Sequence, residues 1–120
     1  MGDDYPTSDG TCIRDYVDVG DLCAAHLAAL QALTACEALR LNVGTGRGHS
    51  VLEVLQACER VCRCAVPAVR GARRAGDPPM LVANATQIQR VLRWSPAVQT
   101  LDESIENAWR WMSTNPKGYD

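Results

Sequence analysis

The chain has 120 residues, 47% of them hydrophobic, with 12 basic and 14 acidic side chains and a formal charge of -2. That length suffices for one core, and the balance lacks the basic surface that non-specific nucleic-acid binding requires. No apolar run reaches the roughly 20 residues that span a bilayer, so neither a nucleic acid nor a membrane is an expected partner.

Residues 1–10 read as a turn-rich loop broken by Pro6 and Gly10. The acidic, polar start, Met1 to Pro6, has neither the pattern of a signal peptide nor a good myristoylation sequence. Cys12 to Val19 alternates as a short strand does, and Asp21 is placed to cap a helix with Leu22, Ala25, Ala29, Leu30 and Leu33 on its inward face. Ala38 to Val43 reads as a buried strand. Ser50 and Glu53 form a capping box for a helix running to about Cys62, with Val51, Leu52, Leu55, Cys58 and Val61 inward. Val66 to Val69 is expected to be a short strand, and Gly71 to Pro79 a loop. Asn84 is expected to cap a helix ending at Leu92. Thr100 and Glu103 make a second capping box, opening a helix with Leu101, Ile105, Ala108, Trp109 and Met112 on one side, stopped by Pro116 and Gly118. Alternating strands and helices place the chain in the α/β class, yet so few strands make a poor sheet by themselves.

Several groups carry possible chemistry. Arg14 offers a planar fork of five N–H donors suited to a pyrophosphate, although pairing with its neighbour Asp15 is the simpler reading of the residues alone. Arg70, Arg73 and Arg74 cluster in a Gly- and Pro-rich loop near Asp77; solvated charge is the commoner fate of such clusters. Six cysteines in a chain without an evident secretory leader read as reduced thiols in the cytoplasm. Cys58, Cys62 and Cys64 are read as buried helical thiols; no histidine stands at a metal-finger spacing, and no metal is expected. Gly44-Thr45-Gly46-Arg47-Gly48 imitates a phosphate loop, but the dinucleotide fingerprint fails at His49 and the P-loop lysine is missing.

Taken together, Gly10-Thr11-Cys12-Ile13-Arg14-Asp15-Tyr16-Val17, Arg73-Arg74-Ala75-Gly76-Asp77-Pro78, Leu92-Arg93-Trp94-Ser95-Pro96, Trp109-Arg110-Trp111 and Pro116-Lys117-Gly118-Tyr119 resemble the C-terminal third of the UDP-glucose 4-epimerases. These are NAD-dependent members of the extended short-chain dehydrogenase/reductases. The resemblance runs through essentially the whole chain. It implies the C-terminal part of a Rossmann-type fold: the last strand and helix of the NAD domain plus the small substrate domain. Residues 1–120 would then be the substrate-binding part, with the N-terminal NAD-binding domain outside them. It further implies UDP-glucose and UDP-galactose as ligands, NAD held by that other domain, and a homodimeric parent. By residue, it puts Arg14 and Arg74 on the diphosphate and Asp77 on the ribose hydroxyls. Tyr16 would line the same pocket, Val51 would touch the uridine half, and Leu81 would stand at a gate to the sugar.

The resemblance has departures. Asp18 stands where the family usually has His, Asn84 for a common Asp, and Arg93 for a common Gly. The catalytic Tyr-x-x-x-Lys pair is not present: the single lysine, Lys117, follows Ser113 at that spacing. No catalytic residue is therefore expected within these residues, and the chain alone is expected to be inactive and poorly soluble. The alternatives are a fragment of a related NAD-dependent nucleotide-sugar epimerase or dehydratase, and a non-catalytic remnant.

Overall fold

A computed structural model describes residues 2–33 and 38–119. β1 (Ile13–Asp15) is the middle strand of a three-stranded sheet of order β2-β1-β3. β2 (Gly48–Ser50) runs antiparallel to it and β3 (Met80–Leu81) parallel, so that Arg14 lies opposite both His49 and Leu81. The helices are α1 (Val19–Ala32), α2 (Val51–Cys62), α3 (Thr86–Leu92) and α4 (Leu101–Thr114), in keeping with the α/β reading.

Local chemistry sets most of these boundaries. Ser50 accepts from the Glu53 amide at 3.0 Å while Glu53 accepts from the Ser50 amide at 2.8 Å, and the capping box opens α2 as expected. Thr100 likewise accepts from Glu103 N at 3.2 Å, though Glu103 reaches the Gln99 amide at 3.4 Å rather than that of the cap itself. The first helix begins earlier than expected. Asp18, not Asp21, is its N-cap, accepting from Gly20 N at 2.7 Å, and this ends the strand expected over Cys12–Val19 at Asp15. Asp18 also accepts from Asn107 on α4 at 3.1 Å, so Asp is an apt residue there. Asp21 sits buried in the first turn and ties α1 to the stretch before α4, accepting from the Ala97 and Val98 amides, each at 3.0 Å. Asn84 accepts from Thr86 N at 3.1 Å but lies one residue before the cap position, Ala85.

Two expected strands do not form. Leu41 and Val43 pack on the core, but no strand pairs with residues 38–43 among the described residues; an apolar alternation needs a neighbouring ladder to become a strand. In Val66–Val69, Pro67 removes a ladder donor, and the Val66 amide is taken instead by Glu59 at 3.2 Å. Conversely, β2 and β3 were not expected, being too short to show a period.

The core is small: Ala25, Ala85, Ile88 and Trp94, flanked by Val17, Leu41, Val43 and Leu92. The Trp94 indole donates to the Asp21 carbonyl at 3.1 Å. A second contact joins α2 to α4, with Arg60 gripping Asp102 at 2.6 and 3.3 Å. Several faces expected inward are not. Leu30 on α1 is 67% exposed and Leu33, just past its end, 44%, and Trp109 and Met112 are exposed on α4 along with Ala108. Cys58 and Cys62 are half-buried on α2, Cys64 lies exposed beyond its end, and Cys36 falls outside the described residues. The accessible surface is 8494 Å², against about 6,300 Å² for a compact monomer of this mass. The radius of gyration is 16.7 Å, against about 13.6 Å. Among the described residues, no helix is long and apolar enough to cross a membrane.

Candidate functional site

Neighbouring residues of a strand point to opposite faces. Arg14 and Asp15 therefore part company, and the pair that sequence adjacency suggests does not form. Instead Arg14 donates through Nη2 to Asp77 Oδ1 at 2.7 Å, across 63 positions of sequence. Its Nη1 donates to the Ile13 carbonyl at 2.7 Å. Two of its five N–H donors are thus used and three remain.

Asp77 stands at the end of the tight turn Arg74–Asp77, closed by a 3.2 Å bond from the Asp77 amide to the Arg74 carbonyl. Its second oxygen, Oδ2, accepts from the Tyr5 hydroxyl at 2.8 Å. Hydrogen bonding from Tyr5, with the Arg14 and Arg74 charges, holds the Asp77 carboxyl below the usual range against the cost of its partial burial. The same bond, with burial and the Asp77 charge, pushes the Tyr5 phenol up. The Arg74 guanidinium has no hydrogen-bonded partner among the described residues, and its charge reaches Asp77 only through space. The loop is moored from the N-terminal side: Asp4 accepts from the Arg73 amide at 2.7 Å, and Gly2 bridges Gly71.

Arg14, Val51, Arg74 and Asp77 share one open hollow of about 480 Å³, with Tyr5 and Cys12 also on its wall. That is within the range of ligand sites. Two guanidinium groups from different segments match a diphosphate, and a carboxylate beside them suits vicinal hydroxyls. Tyr5 and Cys12 are the wall residues sequence reasoning passed over. The available signal for Tyr5 was a lone aromatic in an otherwise polar turn.

Two predicted residues lie elsewhere. Leu81, more than half exposed, borders a separate hollow of about 530 Å³ with Asp15, Asn42 and Ala83, which Arg14 also reaches. Tyr16 lines a small cavity of about 40 Å³ beside Arg47, His49 and the start of α4. Burial raises its phenol pKa, and the nearby Arg14 charge draws it back only in part. Arg14 thus borders both of the larger hollows.

The Gly44–Gly48 loop does hold an anion, one supplied by the chain. Asp15 Oδ1 accepts from Thr45 N at 2.9 Å and Thr45 Oγ1 at 2.6 Å, and Oδ2 from Gly46 N at 2.9 Å and Ala83 N at 3.2 Å. Burial pushes this carboxyl up, but the donors from Thr45, Gly46 and Ala83 outweigh it and hold it low. A Cβ on Gly44 would stand 2.6 Å from Asp15 Oδ2, so the loop closes only around glycine. With Asp15 filling it, this glycine-rich turn does not fit a dinucleotide. Among the described residues, no group of three or more His, Cys, Asp or Glu side chains could hold a metal ion.

No family model matches the chain. It is 43% identical over 121 residues to a UDP-glucose 4-epimerase of Lactobacillus helveticus, covering 100% of this chain and 37% of that protein. It is 43% identical over 118 residues to a probable UDP-arabinose 4-epimerase of Oryza sativa subsp. japonica, covering 98% of this chain and 29% of that one. The crystal structure of UDP-glucose 4-epimerase from Bifidobacterium longum in complex with NAD+ and UDP superposes with a TM-score of 0.88 at 36% identity, over 99% of this chain and 35% of that one. The Stenotrophomonas maltophila UDP-glucose 4-epimerase with bound NAD and formylated UDP-arabinopyranose gives 0.85 at 41% identity, over 98% and 35%. The chain spans about a third of the length of the first curated relatives it matches.

Proposed function

We propose that this chain, as a member of the family of the UDP-glucose 4-epimerases, forms the UDP-sugar-holding part of an NAD-dependent enzyme interconverting UDP-glucose and UDP-galactose. The observation that carries the reading is the convergence of Arg14, Val51, Arg74 and Asp77 on one hollow from three separate segments. Arg14 and Arg74 supply two positive charges for the diphosphate. Asp77 accepts from the ribose hydroxyls, and Val51 offers an apolar contact to the uridine half. Tyr16 flanks Arg14, and Leu81 borders the neighbouring space in which a sugar ring would sit.

NAD, which would supply the hydride acceptor, is assigned to a further domain of a longer protein, since the glycine-rich turn here is filled by Asp15. These residues then grip and orient the substrate and carry no catalytic side chain. The exposed apolar face of α1, with Leu27 and Leu30, and the exposed Leu39 are the surfaces that domain would cover. A cytoplasmic homodimer is the expected form of the parent. A UDP-pentose is a second substrate reading, favoured by the 43% identity to the UDP-arabinose 4-epimerase.

Calorimetric titration with UDP-glucose tests the proposal, beside an Arg74→Ala, Asp77→Ala double variant. Binding by the parent chain that the double variant loses supports the assigned grip. Equal binding by both would move the site elsewhere.

A further inference from the structure

Tyr5 is 7% exposed although it sits in a polar turn three residues from the described start of the chain. The backbone around it leaves the ring little freedom. Its amide donates to the Gly10 carbonyl at 2.9 Å, and its own carbonyl accepts from Thr7 N at 2.8 Å. Gly2 lies so close that a Cβ there would stand 2.8 Å from the ring carbon Cε2. A phenol fixed in this way is a rigid donor, and it aims at Asp77 Oδ2 over 2.8 Å.

A carboxylate has about four acceptor positions, two on each oxygen. At Asp77, Arg14 occupies one on Oδ1 and Tyr5 one on Oδ2. Each oxygen therefore keeps one position, the number that two adjacent hydroxyls of a ribose require. Arg14 alone would hold the carboxylate by one oxygen and leave it free to turn toward the unpaired Arg74. With Tyr5 on the other oxygen, the plane of the carboxylate is set from both ends.

We propose that Tyr5 is a positioning residue that fixes the Asp77 carboxylate and thereby sets a preference of this hollow for a ribonucleotide over its 2′-deoxy counterpart. The inference rests on the assignment of Asp77 to the ribose made above. It adds a residue on the wall of the hollow that acts on the ribose through its hydrogen bond to Asp77.

The test compares UDP with 2′-deoxy-UDP by calorimetry on the full-length protein, as wild type, Tyr5→Phe and Asp77→Asn, with a thermal melt to verify folding of each. The wild type is expected to favour UDP by roughly tenfold or more, the scale of a hydrogen bond to a charged group. Tyr5→Phe should bring that ratio toward one by weakening UDP while leaving 2′-deoxy-UDP nearly unchanged. A merely structural tyrosine would weaken both alike, and that result overturns the inference. So does an unchanged ratio in Tyr5→Phe when Asp77→Asn abolishes the preference; Asp77 then stays on the ribose without help from Tyr5. Should Asp77→Asn keep the full preference, the ribose assignment itself falls and Tyr5 falls with it.

Discussion

Asp15 and Asp77 are both carboxylates gripped by donors from distant segments, and the two are filled to different degrees. Asp15 accepts four bonds, two on each oxygen, from Thr45, Gly46 and Ala83. Asp77 accepts two, one on each oxygen, from Arg14 and Tyr5. A carboxylate with all its acceptor positions taken by its own chain can only hold the chain together. One that is oriented but half-satisfied beside an open hollow is fit to meet a ligand. The same residue type is thus a filled clasp on one face of β1 and a half-open acceptor on the other.

The sharpest way to break this contrast is to remove the clasp. Asp15→Ala would leave the Thr45, Gly46 and Ala83 donors without their acceptor, and should cost on the order of 3 kcal/mol of stability in denaturant unfolding. Little change in the unfolding midpoint would mean that the loop holds itself. Next in size, Arg14→Lys keeps the charge but loses the planar fork. UDP-glucose affinity should drop roughly tenfold while the melting temperature moves little. A large fall in melting temperature would make Arg14 structural, like Asp15.

Acidity separates the two carboxylates further. The folded Asp15 carboxyl is held below its ordinary value, so its contribution is complete above about pH 4. It is lost as the pH falls through the lower, folded value, because the unfolded chain takes up the proton first. Asp15→Asn should therefore flatten the acid limb of the stability profile. Asp77→Asn should instead change the acid limb of UDP-glucose binding, its own carboxyl being held low by Tyr5 and Arg14.

A smaller effect concerns the uncovered surface. The 120-residue chain should self-associate in light scattering, and Leu30→Gln with Leu33→Gln should reduce this without lowering the melting temperature. Monodisperse parent chain at high concentration would contradict it. The smallest expected effect lies outside both carboxylate regions. Arg93 ends α3 with a φ of 52°, a left-handed conformation that glycine adopts at less cost. Arg93→Gly should stabilise the fold by about 0.5–1 kcal/mol, leaving UDP binding as it was.

What the amino-acid sequence disclosed follows the range of each interaction. Ser50 with Glu53, and Thr100 with Glu103, act over three residues, so α2 and α4 were legible from their caps. Arg14, Arg74 and Asp77 were legible through resemblance, while their convergence needed the fold. Tyr5 was not, because the partner that gives it meaning lies 72 positions away. Asp15 misled for the opposite reason: adjacency suggested Arg14 as its partner, but strand geometry turns neighbours apart. Residues 38–43 have the alternation of a strand, yet alternation shows only which side chains turn inward and cannot supply a neighbour to pair with.

The pairing of β1 with β2 and β3 also governs which changes of length the molecule tolerates. Deleting or inserting one residue between Gly10 and Ile13 would tend to slide β1 by one step and exchange its two faces. A deletion would set the Asp15 carboxylate in the place of Arg14 beside Arg74; an insertion would set the Arg14 guanidinium before the N–H groups of the glycine turn. Point changes in this stretch remove one partner at a time, whereas a single-residue indel would displace both Arg14 and Asp15 from their partners at once. The spacing from Gly10 to Asp15 is therefore under tighter constraint than the identity of most residues within it.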